Sequence, residues 1–218
     1  MKTLDRDTQA LVEQGIAVLR RGGLVAYPTD TVYGLGASID LPDAVARVYT
    51  AKSRPRDMAL PVLVAGMADI ERLAARILPA ARCLIESFMP GALTIVVPAA
   101  PSVPKHVTAG MGTVALRIPG HPVPLALIRG LGSPIIGTSA NLSGHPSPLT
   151  ADEVRAQLGD RVDLIIDGGR CPGIESTIVD VTGDTPAVLR QGAVSTQDIE
   201  RACGRVLANK GRVKCASQ

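Results

Sequence analysis

Five polar stretches interrupt an otherwise aliphatic chain, and their side chains suit a small anionic ligand. Pro28-Thr29-Asp30-Thr31-Val32-Tyr33-Gly34-Leu35-Gly36 sets three small polar residues between a proline and two glycines. Thr hydroxyls donate and accept, which fits a polar ligand; the same pattern also closes a strand-to-helix connection as an Asx or Ser/Thr turn. Lys52-Ser53-Arg54-Pro55-Arg56 places three cations within five residues. At a helix end cations complement the helix dipole, and equally they clamp phosphates.

Along Thr113-Val114-Ala115-Leu116-Arg117-Ile118, strand alternation puts Val114, Leu116 and Ile118 on one face and Thr113, Ala115 and Arg117 on the other. An arginine among such neighbours requires an anion, either a ligand or a buried ion-pair partner. Gly137-Thr138-Ser139-Ala140-Asn141-Leu142-Ser143-Gly144 gathers hydroxyls and an amide, a cradle for phosphate or ribose. It departs from the G-x-S-x-G nucleophile elbow at Asn141, which argues against a serine hydrolase built on Ser139. The glycines of Asp167-Gly168-Gly169-Arg170-Cys171-Pro172-Gly173-Ile174-Glu175-Ser176-Thr177 let backbone N–H groups approach an anion. Neither a P-loop nor a G-x-G-x-x-G fingerprint is present, so scattered Lys, Arg, Ser and Thr must hold any nucleotide.

The elements that position these stretches are legible from apolar periodicity and breakers. Helices are predicted over 7–21, 43–52, 68–77, 80–88, 123–128, 150–158 and from Ser195 to about Val206. Short strands are predicted over 24–27, 60–64, 93–97, 113–118, 134–136, 162–166, the STIVDV run and 187–190. Strands and helices mix without strict alternation, which predicts one α/β domain over 1–206 with a twisted, mixed sheet flanked by helices. A basic tail over 207–218 carries Lys210, Arg212 and Lys214.

Composition narrows the classes further. Of 218 residues 46% are apolar and 20% charged, and three Tyr, one Phe and no Trp leave the core to aliphatic side chains. Few aromatics argue against a single-strand binder that stacks bases. A net charge of +3 permits an electrostatic partner such as tRNA without demanding one. The four cysteines form no C-x-x-C pair and read as reduced thiols; His106, His121 and His145 lack metal-site spacing. The N-terminal residues carry acids early and no apolar run is long enough to span a bilayer, so a cytoplasmic protein is expected.

Taken in order, PTDTVYGLG, KSRP, PGALT, VALRIPGHP, TSANLSG, IESTIVD and LRQG resemble the threonylcarbamoyl-adenylate synthase family, of YrdC-type fold, over roughly residues 20–192. The resemblance implies a YrdC-like α/β domain with an open basic cavity. It implies that L-threonine, bicarbonate and ATP, with Mg²⁺ accompanying the nucleotide, give threonylcarbamoyl-adenylate and pyrophosphate. A downstream transferase complex would then modify the tRNA adenosine beside the anticodon. By motif, Thr31, Arg117 and Ser176 would hold threonine, and Lys52 and Arg54 would face the phosphates and the carbonate-derived group. Arg54, Thr113, Ser139, Asn141 and Arg190 would hold the nucleotide. Met89 stands where the family often has Trp, and Val62, Leu63 and Val64 where many members have a His that contacts threonine. The C-terminal domain of longer members is not expected here. The alternatives are an RNA-binding module of the same fold without synthase activity, and a carbamoyltransferase domain, which would bring zinc-type cysteine pairs.

Overall fold

The computed structural model describes residues 4–204 and 207–208. In chain order the elements are α1 (Arg6–Arg20), β1 (Val25–Tyr27), β2 (Gly34–Gly36), α2 (Pro42–Lys52), β3 (Val62–Leu63), α3 (Met67–Leu73), α4 (Pro79–Phe88) and β4 (Leu93–Pro98). Next come α5 (Lys105–Thr108), β5 (Thr113–Arg117), α6 (Pro122–Leu131), β6 (Ile135–Ile136), β7 (Thr138–Ser139) and α7 (Ala151–Leu158). Last are β8 (Leu164–Ile165), β9 (Thr177–Asp180), β10 (Ala187–Arg190), α8 (Thr196–Cys203) and β11 (Leu207–Ala208).

The mixed α/β architecture is the expected one, with the strands divided between two mixed sheets. One has the order β7-β2-β1-β8, the other β11-β10-β9-β4-β5-β3-β6. The sheets join at Gly137, where the chain leaves β6 of the larger sheet and enters β7 of the smaller. Tyr27 crosses the same seam: its hydroxyl donates to the Ile136 carbonyl at 3.1 Å. A large aliphatic core lies under the bigger sheet, and a second cluster around Val12, Leu19, Tyr27, Leu127 and Ile128 is covered by α1 and α6.

Strand β2 is invisible to periodicity because two of its three residues are glycine, yet packing demands them. A Cβ on Gly34 or on Gly36 would come within 2.7 Å of the Tyr27 ring, which lies across β2. Gly36→Ala is therefore expected to lower stability by about 1–3 kcal/mol through overpacking, read as a lower urea midpoint at unchanged m-value.

Several boundaries differ from the sequence expectation. Helix α3 stops at Leu73 rather than 77, because the chain turns to pair with the strand opposite: Ala75 N–H donates to Pro98 O at 2.8 Å. Helix α8 ends at Cys203 before Gly204, whose φ is 83°, and Val206 lies outside the described residues. Leu207–Ala208, at the start of the expected tail, pairs parallel with Ala187–Val188; residues 209–218 lie outside the described residues. At the start of α7, Thr150 Oγ1 accepts from Glu153 N–H at 3.2 Å as the predicted cap. The Glu153 carboxylate reaches one residue further back, to Leu149 N–H at 2.7 Å.

Candidate active site

A line of residues crosses the larger sheet from β3 to β10. Leu63 is registered with Arg117, Thr94 with Ile178, and Ile178 with Arg190. The β4–β5 register of Ile95 with Leu116, continued by one residue, sets Thr94 against Arg117. Register partners face the same side of a sheet. All five residues accordingly line one cavity of roughly 370 Å³, together with Thr29, Thr31, Lys52, Arg54, Ser139, Asn141, Ser147 and Ser176, among others. That volume suits a small-molecule ligand.

Arg117 shows how the alternation works. Val114, Leu116 and Ile118 sink into the main core, while Arg117 faces the cavity and is only 7% exposed. Its guanidinium donates to Asp30 Oδ1 at 2.6 Å, Thr31 Oγ1 at 3.0 Å and Gly91 O at 2.9 Å. Both sequence readings of this arginine hold at once: it has a half-buried carboxylate partner and it lines a cavity. The Thr29–Val32 segment is likewise both turn and wall. Thr29 Oγ1 donates to Val32 O at 2.7 Å and receives Thr31 N–H at 3.0 Å. It receives Val32 N–H as well, at 3.2 Å, and lies 2.8 Å from the Thr31 hydroxyl. Thr31 Oγ1 also accepts from Arg117 Nη1, which ties this turn to β5.

Lys52 and Arg54 are set by the end of α2. Ser53 takes a left-handed conformation (φ 51°), with Ser53 and Arg54 N–H donating to Thr50 O and Tyr49 O. Residues on either side of that turn both face inward: Lys52 is 2% exposed and Arg54 8%. Cations so deeply buried do more than cap a helix dipole. Lys52 Nζ reaches away from its helix to Ser139 O at 2.5 Å, Asn141 O at 2.7 Å and Asn141 Oδ1 at 3.0 Å. Burial pushes the amine down to about 7, the neighbouring Arg54 cation adds to the shift, and Glu175 opposes it. Arg54 Nη2 donates to Ala59 O at 3.2 Å.

On the opposite wall, Arg190 donates through Nη2 to Ser176 O at 2.8 Å and through Nη1 to Glu175 Oε2. Ser176 Oγ lies 2.9 Å from Thr94 Oγ1. Gly192 permits this packing, since a Cβ there would stand 2.3 Å from Glu175 O.

Of the residues singled out from sequence, Thr31, Lys52, Arg54, Arg117, Ser139, Asn141, Ser176 and Arg190 converge on the cavity. Thr113 does not: it sits at the far end of β5 from Arg117, opposite Pro98, and is absent from the lining. Asn141 is present but committed internally. Its Oδ1 accepts from Ser139 Oγ and Lys52 while its Nδ2 donates to His145 O at 2.6 Å, so its visible task is to position Lys52. Sequence reasoning missed Thr94, Ser147 and Glu175 as lining residues. Thr94 and Glu175 stand inside the PGALT and IESTIVD motifs, and a Thr in an aliphatic strand was the available signal for the first.

This cavity carries the motifs that define a known family. The Sua5_yciO_yrdC family model, described as Telomere recombination, matches residues 17–192. The chain belongs to the Sua5/YciO/YrdC family. Relatives include a threonylcarbamoyl-AMP synthase of Bacillus subtilis (strain 168), 44% identical over 202 residues, 92% of this chain and 58% of the relative. A putative threonylcarbamoyl-AMP synthase of Mycobacterium tuberculosis (strain ATCC 25618 / H37Rv) is 46% identical over 196 residues, covering 88% of this chain and 89% of the relative. Among solved structures, that of P. abyssi Sua5 complexed with L-threonine superposes with a TM-score of 0.91 at 37% identity, covering 99% of this chain and 64% of that one. The chain thus spans less than two thirds of the B. subtilis and P. abyssi family members. Among its described residues no helix is long and apolar enough to cross a membrane.

Proposed function

We propose that this chain makes L-threonylcarbamoyladenylate from L-threonine, bicarbonate and ATP, releasing pyrophosphate, for threonylcarbamoyl modification of the tRNA adenosine beside the anticodon. The observation that carries this reading is the convergence of Lys52, Arg54, Arg117 and Arg190, drawn from distant segments, on one cavity. The reaction brings two anions together. The threonine amine adds to bicarbonate with loss of water, giving a carbamate. A carbamate oxygen then bonds to the α-phosphorus of ATP as the bond to the β-phosphate oxygen breaks and pyrophosphate leaves. Fixed cations that neutralise and align the two reactants are the main catalytic requirement.

In this reading Arg117, with Thr31 and Ser176, holds threonine, its guanidinium receiving the carboxylate. Lys52 and Arg54 face the phosphates and the carbonate-derived group, and Ser139 and Arg190 hold the nucleotide. Mg²⁺ enters with ATP. Among the described residues no cluster of three His, Cys, Asp or Glu side chains could hold a metal, and a hard cation carried by phosphates needs only one or two protein carboxylates, or none. We place the reaction in the cytoplasm, with tRNA and a threonylcarbamoyl-transferring complex downstream.

The test is pyrophosphate release from ATP with threonine and bicarbonate each present or omitted. Release that persists without threonine rules the proposal out. A further expectation follows from Lys52. An anion beside the amine raises its pKa from about 7, so above pH 7 nucleotide binding takes up a proton. Affinity accordingly falls as pH rises from 7 towards 9. In the folded, ligand-free protein the sign is the reverse: this lysine's contribution to stability rises with pH between its folded value and the ordinary 10.5. Calorimetry of ATP binding at pH 8 in buffers of different ionisation enthalpy reads the proton directly.

A further inference from the structure

Among the described residues Glu175 is the one carboxylate lining the cavity, and it sits amid the cations. Its Oε2 accepts from Arg190 Nη1, and its Oε1 accepts from Ser147 Oγ at 2.5 Å. We propose that Glu175 is a built-in counter-ion, its carboxylate standing on Arg190 where a phosphate-bearing ligand's anionic group binds and leaving when that group arrives. The inference deepens the proposed function and rests on that reading of the cavity.

Three observations support the exchange. First, Arg190 is anchored independently of Glu175: Nη2 and Nε both donate to Ser176 O, at 2.8 and 3.3 Å. One edge of the fork is fixed to the backbone and the other is given to the carboxylate, an arrangement in which phosphate can take the carboxylate's place. Second, the Glu175 backbone is held without its side chain. Ala193 N–H donates to Glu175 O at 2.9 Å, and Gly192 packs directly on that carbonyl. Exchange therefore needs only a side-chain rotation, and the carboxyl-bearing side chain is 37% exposed, with solvent to move into. Third, Glu175 also acts on Lys52, whose amine it helps to keep charged. One carboxylate thus balances cations from two walls of a ligand-free cavity.

Isothermal titration of pyrophosphate into the wild type, Glu175→Gln and Ser147→Ala tests this. Glu175→Gln is expected to bind pyrophosphate about tenfold more tightly, because the internal competitor is gone while Arg190 stays anchored. Its melting temperature without ligand is expected to fall, and its rise on adding pyrophosphate to exceed that of the wild type. Ser147→Ala, which removes only the tether on the carboxylate, is expected to tighten binding a few-fold in the same direction. Unchanged or weaker binding in Glu175→Gln overturns the proposal and assigns Glu175 to structure. Threonine-dependent pyrophosphate release by the wild type, measured in parallel, reports separately on the synthase reading.

Discussion

Arg117→Ala is expected to raise the threonine KM by roughly 10- to 150-fold, the equivalent of losing one charge-assisted contact of about 1.5–3 kcal/mol. The same change strikes the fold. Arg117 and Asp30 side chains are 8% and 18% exposed, and removing the arginine leaves a half-buried carboxylate without its 2.6 Å partner. Breaking such a pair costs about 3 kcal/mol, so the melting temperature drops as well. Arg117→Lys separates the two effects. It keeps a charge near Asp30 but cannot reach Asp30, Thr31 and Gly91 together from one planar fork. Most of the stability should return while the threonine KM stays raised. A near-normal KM in a folded Arg117→Ala protein removes threonine from this wall of the cavity.

Lys52→Met is expected to reduce kcat by roughly 10²–10³-fold, the scale of losing one preorganised group aimed at developing charge. Methionine approximates the apolar stem of lysine, so packing around residue 52 survives. The carbonyls of Ser139 and Asn141 and the Asn141 amide oxygen lose their shared donor. The threonine KM should move little, because Arg117 and Thr31 are bonded to one another and do not depend on Lys52. The pH profile supplies a second reading. In the wild type kcat/KM falls as the free enzyme's amine loses its proton above about pH 7, and the methionine variant lacks that limb. A variant with unchanged kcat, or with the limb intact, takes Lys52 out of the chemistry.

Much of this architecture was legible in the sequence, for identifiable reasons. Helix α1 is announced by its apolar face and by Gly22-Gly23, and β4 and β5 by runs of aliphatic residues. Strands β2 and β7 were not legible. Gly34-Leu35-Gly36 and Thr138-Ser139 lack strand composition, and they pair because Tyr27 needs glycine beneath its ring and because the chain must cross between sheets at Gly137. In the site, a cation among apolar strand neighbours revealed Arg117, and the cation cluster at a helix end, together with its motif, pointed to Lys52 and Arg54. Glu175 escaped because a carboxylate is not expected where anions bind; only its pairing with Arg190 explains its presence. Thr113 was named from the family motif alone; it shares a face with Arg117, but four residues of extended chain carry it roughly 13 Å away.

The cross-strand row in the larger sheet has a metric consequence. From β5 to β10 lie three inter-strand intervals of about 4.8 Å, so the main-chain origins of Arg117 and Arg190 stand some 14 Å apart, at roughly the span of an amino acid joined to a nucleotide. Backbone hydrogen bonds, not adjustable loops, set this gauge. On the proposed reading, a ligand carrying either half alone touches one terminus of the scale, and the joined product reaches both.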